Sequence, residues 1–140
     1  MAEAVFHLDV LTPEGLVASE DVTHVLAPGK EGYLGILANH APLVTALDIG
    51  VVNYSPVGGE HEEVLAIANG FLEVSRNKVT ILADTAEKWD EIDLERAEAS
   101  LKRAQERLTI MPEGIDIERA QAALKRAHNR IMVKKRKFTF

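Results

Sequence analysis

Apolar residues between Ala4 and Leu82 come in short runs, broken by turn formers. Ala4 to Thr12 alternates and stops at Thr12-Pro13-Glu14-Gly15; Val22 to Ala27 is closed by Pro28-Gly29. Further runs cover Tyr33–Leu37, Leu43–Leu47, Val51–Tyr54, Val64–Ala68, Phe71–Val74 and Val79–Leu82. Gly50, Pro56, Gly58-Gly59, Asn69-Gly70 and Asn77 separate them, and Asn77 suits a tight hairpin turn. Seven or eight short strands at this spacing predict a β-sandwich or flattened barrel.

At Asp93 the period changes. Leu94, Ala97, Leu101, Ala104 and Leu108 recur at spacings of three and four, as do Ile117, Ala120, Leu124, Ala127 and Ile131. Pro112 and Gly114 lie between them, and Asp93 and Asp116 occupy N-cap positions. The pattern predicts an all-β sandwich followed by an α-helical hairpin. Its parts are a sandwich domain over 1–84, a linker over 85–92, a two-helix domain over 93–133 and a basic tail over 134–140. The helices repeat each other: IDLERAEASLKRAQERL at 92–108 matches IDIERAQAALKRAHNRI at 115–131, with eleven of seventeen positions identical. Such a repeat is explained either by two good caps on two amphipathic helices or by something further. A hairpin with one narrow seam is marginal alone and must dock on its sandwich, a ligand or a partner.

Charge sharpens the division. Residues 1–92 carry 4 basic and 15 acidic side chains, net −11, whereas 93–140 carry 12 and 7, net +5. With no cysteine in 140 residues, disulfides, thiolate metal sites and cysteine catalysis are excluded. The opening MAEAVFHLDV has no basic region before an apolar stretch, so no signal peptide is expected. Gly29-Lys30-Glu31-Gly32 is too short for a phosphate loop. The five histidines lack metal-ligand spacing. His7 and His24 read as ordinary sheet residues, and His40, in a loop, as an interface candidate. Without a nucleophile, an acid–base pair or a metal, no enzyme is expected. The run Lys134-Lys135-Arg136-Lys137 could touch an acidic surface, but an acidic chain with little aromatic interleaving argues against nucleic acid.

The helical arginines are the remaining chemistry. With the loop centred near residue 112, Leu94 falls opposite Arg130 and Ala97 opposite Ala127. That register gathers Arg96, Arg126 and Arg130 at the open end of the hairpin, with Arg103 further along and Arg107 and Arg119 at the far end. Such a cluster is either solvated charge balanced by Glu95, Glu98 and Glu106, or a polyphosphate site built from bidentate guanidinium contacts. Asp93 could hold the arginines when no ligand is present.

Gly32-Tyr33-Leu34-Gly35-Ile36-Leu37-Ala38-Asn39-His40-Ala41-Pro42-Leu43, Gly70-Phe71-Leu72-Glu73-Val74 and Val79-Thr80-Ile81-Leu82-Ala83-Asp84-Thr85-Ala86-Glu87 closely resemble the epsilon-subunit family of bacterial F-type ATP synthases, over essentially the whole chain. The resemblance implies a non-catalytic central-stalk subunit on the cytoplasmic face of the cell membrane, membrane-associated only through the complex. Its sandwich would be held by the gamma subunit and rest on the c-ring, with Glu31 and His40 near those partners. Its helical arm would permit ATP hydrolysis when folded and block it when extended between gamma and the alpha–beta hexamer. Arg119, Lys125, Arg126, Arg130, Lys134, Lys135 and Arg136 would then meet acidic beta-subunit residues.

In a Bacillus-like branch the folded hairpin binds ATP through I/L-D-x-x-R-A, matched by Ile92-Asp93-Leu94-Glu95-Arg96-Ala97. The same resemblance implies Glu87 toward the adenine or ribose, Asp93 and Arg96 shaping the site and touching the nucleotide, and Arg103, Arg126 and Arg130 on phosphates. ATP would be a regulatory ligand that is not hydrolysed; Mg²⁺ could accompany it but is not required. The second copy, Ile115-Asp116-Ile117-Glu118-Arg119-Ala120, reads as a helix cap. The alternatives are the same stalk subunit with a purely mechanical arm, or a non-enzymatic adaptor using the basic tail.

Overall fold

The computed structural model describes residues 4–137. The described residues form seven strands: β1 Phe6–Thr12, β2 Gly15–Gly29, β3 Gly32–Leu37, β4 Leu43–Leu47, β5 Gly50–Pro56, β6 Glu63–Ser75 and β7 Lys78–Lys88. A 3₁₀ turn, Trp89–Glu91, leads to helices α1, Leu94–Ile110, and α2, Ile117–Lys135. Residues 138–140 of the tail, with Phe138 and Phe140, lie outside the described residues.

Two long strands turn the corners of the sandwich. β6 pairs with β7 along its length but divides its other edge between β5 (through Glu63–Ile67) and β4 (through Gly70–Val74). β2 likewise passes from β1 to β3 and β5. β1 closes the arrangement, antiparallel to β2 and parallel to β7. Alternation places Phe6, Leu8 and Val10 of β1 inside, against Leu47, Val52, Leu65, Ile67, Leu72 and Ile81. A register shift between Val22 and His24 explains why Val22 and Val25, an odd number apart, are both buried.

Three sequence expectations change. β2 begins at Gly15, seven residues before its apolar run, because its first half pairs along β1. The runs at 64–68 and 71–74 are one strand: Asn69 (φ 53°) and Gly70 (φ 131°) are a local kink that leaves the register with β7 unchanged, not a turn. A side chain at Gly70 would strike the Leu82 carbonyl and come within 2.8 Å of Ala83 Cα, so β6 can approach β7 there only with glycine. Finally, β7 runs to Lys88, and 85–88, read as linker, pair with Leu65–Ala68 of β6. The Asn77 turn is as expected: Arg76 (φ 52°) and Asn77 (φ 58°) both adopt the left-handed conformation that a two-residue hairpin loop needs.

One outer face carries transverse rows of like character. Leu16, Leu11, Leu82, Phe71 and Ala46 follow one another across β2, β1, β7, β6 and β4. Leu16, Leu82, Phe71 and the neighbouring Val44 are each more than half exposed. Beside this apolar row is a charged one. His7 Nδ1 lies 2.9 Å from Asp21 Oδ1 and its Nε2 2.9 Å from Asp9 Oδ1. Ser19 Oγ donates to Asp9 at 2.6 Å, and Lys78 Nζ is 3.1 Å from Asp9 Oδ2. The hydrogen bond to Asp21, helped by Asp9, raises the His7 pKa above 6.5 against the opposing effect of burial. Ser19 first, then Lys78 and His7, lower that of Asp9 from 3.8 to about 2.

Two expectations follow from this geometry. Gly70→Ala should lower the unfolding free energy by about 3 kcal/mol or more, read from urea midpoints, because the clash is with backbone. For His7, whose folded pKa is raised, the stabilisation is complete below 6.5 and fades as pH rises through the folded value; for Asp9 it is present above 3.8 and fades as pH falls toward about 2. His7→Gln should therefore lose more stability, relative to the parent chain, at about pH 5 than at about pH 9 in parallel denaturation curves.

Candidate functional site

Each helix opens the same way. Asp93 Oδ1 accepts from the Arg96 N–H at 3.1 Å, and Asp116 Oδ1 from the Arg119 N–H at 3.0 Å. In each copy an isoleucine precedes the cap and an alanine follows four residues after it, the positions of a hydrophobic staple. Ala97, Ala104, Ala120 and Ala127 are buried along the seam, small enough for the backbones to approach closely.

The arm is held to the sandwich chiefly by α2, which lies against β5, β6 and the 3₁₀ turn, while α1 packs on α2. Val133, fully buried, joins Val51, Val64, Ala66 and Ile92 in a second core covered by Trp89. Asn129 Nδ2 donates to the Gly50 carbonyl at 2.8 Å, and Lys125 Nζ lies 3.2 Å from Asp48 Oδ2.

Where α1 stands off the sheet there is a cleft of about 330 Å³. Its floor is Ala66, Ile67 and Ala68 of β6, with Thr85 and Glu87 of β7 beside them. α1 contributes Ser100, Arg103, Ala104 and Arg107; α2 contributes Ala123, Arg126, Ala127, Asn129 and Arg130. Four arginines and one glutamate thus line the cleft, Arg103 and Arg107 exposed and Arg126 and Arg130 partly buried. Arg130 Nη2 donates to Glu87 Oε2 at 3.2 Å. Its Nε is 2.7 Å from Oε1, an ion-pair approach off the N–H direction that leaves Nε without a hydrogen bond. Arg103 Nη2 donates to Ser100 Oγ at 3.0 Å. Arg103, Arg107 and Arg126 have no carboxylate partner among the described residues.

The cluster differs from the one expected. Glu87, Arg103, Arg126 and Arg130 come together, but Arg96 is exposed and outside the cleft, and Arg107 is inside it. The loop occupies 111–116, with Met111 as a left-handed cap, so the hairpin turns further along than residue 112. Arg103 and Arg107 line the cleft together with Arg126 and Arg130, and Glu98 Oε1 lies 4.0 Å from Lys135 Nζ. Asp93 caps α1 and makes no ion pair with the arginines; Glu87 neutralises one instead. Ile92 belongs to the second core and Ala97 to the helix seam. Arg107 was legible as the residue one turn from Arg103, given the right loop length. Asn129 and Trp89 carried no signal for docking.

The interface candidates are scattered. Glu31 and His40 are exposed but sit beyond opposite ends of β3, a strand of six residues spanning roughly 20 Å. Arg119 is exposed in the first turn of α2. Lys134 Nζ lies 5.7 Å and Arg136 Cζ 4.3 Å from the Trp89 ring centroid, so much of the basic face is engaged by the molecule itself.

The family model of the ATP synthase delta/epsilon chain, beta-sandwich domain, matches residues 5–89, and that of its long alpha-helix domain matches residues 90–135. The chain belongs to the ATP synthase delta/epsilon family. The ATP synthase epsilon chain of Carboxydothermus hydrogenoformans is 55% identical over 101 residues, covering 72% of this chain and 74% of that one. The epsilon chain of Desulfitobacterium hafniense strain Y51 is 52% identical over 110 residues, 79% and 81% of the two chains. The fold is shared with a chain of the Euglena gracilis mitochondrial ATP synthase (OSCP/F1/c-ring, rotational state 1), at TM-score 0.78 and 24% identity over 92% of this chain and 81% of that one. It is also shared with one of the Tetrahymena thermophila mitochondrial ATP synthase central stalk and c-ring, at TM-score 0.59 and 14% identity over 99% and 100%. As an epsilon chain the protein is a non-catalytic subunit, not itself an enzyme. No helix among the described residues is long and apolar enough to cross a membrane.

Val133→Ser puts a hydroxyl into the second core and should weaken docking of the arm by about 2 kcal/mol. Amide hydrogen exchange in α2 should quicken by roughly thirtyfold while β1 is unaffected.

Proposed function

We propose that this epsilon chain is a central-stalk subunit whose arm senses ATP. Its sandwich binds the gamma subunit and rests on the c-ring, and the complex holds it at the cytoplasmic face of the bacterial cell membrane. The apolar row from Leu16 to Ala46 is a surface suited to docking gamma, because so continuous an exposed apolar band marks an interaction site. The observation that carries the sensor reading is the cleft, with three arginines lacking carboxylate partners and a fourth on Glu87, placed where α1, α2 and the sheet meet.

A triphosphate there takes charge-assisted contacts from Arg103, Arg107 and Arg126, and draws Arg130 from Glu87. The freed carboxylate can accept from an adenine amino group or a ribose hydroxyl, and the alanine floor accommodates a flat base. Asp93 and Ile92 serve by capping and stapling α1 rather than by touching the phosphates. Mg²⁺ can accompany the nucleotide, and no residue is offered as its ligand.

Such a ligand bridges α1 to the sheet and binds only the folded arm. It stabilises that state by RT ln(1 + [ATP]/Kd), about 2.7 kcal/mol at about 100 Kd. When ATP falls, the arm extends between gamma and the alpha–beta hexamer and stops hydrolysis, and the basic face of α2 meets acidic groups of beta. A second reading, a mechanical arm that binds no nucleotide usefully, draws on Val133 and the Arg130–Glu87 pair, which hold the arm without a ligand.

Calorimetric titration of ATP into the full chain, with ADP and GTP alongside, decides between them. The sensor reading expects saturable one-to-one binding, tightest for ATP, with the nucleotide recovered unhydrolysed. Arg103→Ala/Arg126→Ala should weaken it by roughly a hundredfold, two charge-assisted contacts being lost. Absence of binding at about millimolar ATP would leave the stalk role and remove the sensor.

A further inference from the structure

We propose that Trp89 is a latch that holds the folded arm by gripping the last turn of α2, independently of any nucleotide; the inference rests on the reading that the arm can leave the sandwich. The chain has one tryptophan, and it stands in the 3₁₀ turn between β7 and α1, where the arm must hinge. The ring covers the second core on one side. On the other, the Arg136 guanidinium carbon lies 4.3 Å and Lys134 Nζ 5.7 Å from the ring centroid, both within cation–π range. Lys134 Nζ also reaches the Asp90 carbonyl in the same turn, at 3.5 Å.

The backbone carries the Arg136 side chain to the ring from the end of the helix. Arg136 is the C-cap of α2 at φ 52° and ψ 40°, donating its N–H to the Met132 and Val133 carbonyls. That left-handed position favours glycine. Met111 ends α1 in the same conformation, so the backbone alone does not single out Arg136; what distinguishes it is a side chain that lies over Trp89.

The consequence is an exclusive choice. Lys134 and Arg136 are among the basic groups that an acidic partner surface would attract. While they lie on Trp89 they are withheld from it, so folding the arm both positions α2 and masks part of its basic end. Extension releases the ring and the cations together.

The absence of cysteine allows paired spin labels in the full chain without removing native thiols, at Ser75→Cys on the β6–β7 turn and Glu113→Cys at the hairpin tip. The distance distribution without nucleotide reads the extended-to-folded ratio. Lys134→Gln/Arg136→Gln and Trp89→Leu should each raise that ratio about fivefold, and Arg136→Lys should stay near the parent. Arg136→Gly is the sharpest case: it relaxes the helix end, raising α2 helicity by circular dichroism, yet should still raise the ratio. Val133→Ser is the control that opens the second core. If it frees the arm while the double variant and Trp89→Leu do not, the latch is overturned and the mobile arm stands. If no variant, Val133→Ser included, yields an extended population, the mobile-arm reading falls and the latch with it.

Discussion

The whole arrangement depends on one short stretch of helix finding one strip of sheet. Val133 is the member of α2 that enters the second core, and it does so against Val51, Val64 and Ala66, outward-facing residues of β5 and β6. This core is small beside the main one, whose residues come from all seven strands. Because α1 packs mainly on α2, the contact at the end of α2 secures both helices. A two-helix element of this length is marginal alone. Its state is therefore set by a few buried side chains, and modest free energies decide it.

Electrostatics reinforce that placement without fixing it. Lys125–Asp48 is an exposed pair of small value, whereas Arg130–Glu87 is more sheltered and better defined by two contacts. The latter leaves the other three arginines of the cleft unneutralised by carboxylate. The cleft therefore holds more positive than negative charge, with Arg103 and Arg107 exposed to solvent that screens them and Arg126 and Arg130 partly buried. The cleft and the docking core occupy neighbouring turns of the same half of α2, Arg130 and Val133 being three residues apart.

The sequence made the architecture legible because each signal was local. Alternation marked Phe6, Leu8 and Val10; the period of three and four marked the helix seams; Asp93 and Asp116 marked their starts. What it hid was relational. Asn69-Gly70 has the composition of a turn, yet glycine is needed there because β7 comes too close for a side chain. Thr85–Lys88 lack apolar character and read as linker, yet they are sheet because β6 continues beside them. The cleft suffered most. A facing-residue count about residue 112 brings Arg96 in and keeps Arg107 out, whereas the cleft takes Arg103 and Arg107 from α1, because which side chains meet is set by how α1 lies over α2 and the sheet and not by loop position alone. Glu87, Arg103, Arg126 and Arg130 are nonetheless found together.

The internal repeat shows why motif and site are separate questions. Both copies of Ile-Asp-x-Glu-Arg-Ala do the same local work: aspartate caps, isoleucine precedes it, and alanine is buried four residues after it. Ile92 of the first copy is buried in the second core, while Ile115 of the second is only partly covered. The first copy therefore ties the start of α1 to the sheet and to Trp89, where the arm hinges, and the second ends in solvent. Identical residues have different consequences because the sandwich is present at only one of them. In this chain the motif orders the helix, and the register of the hairpin chooses which arginines face the cleft.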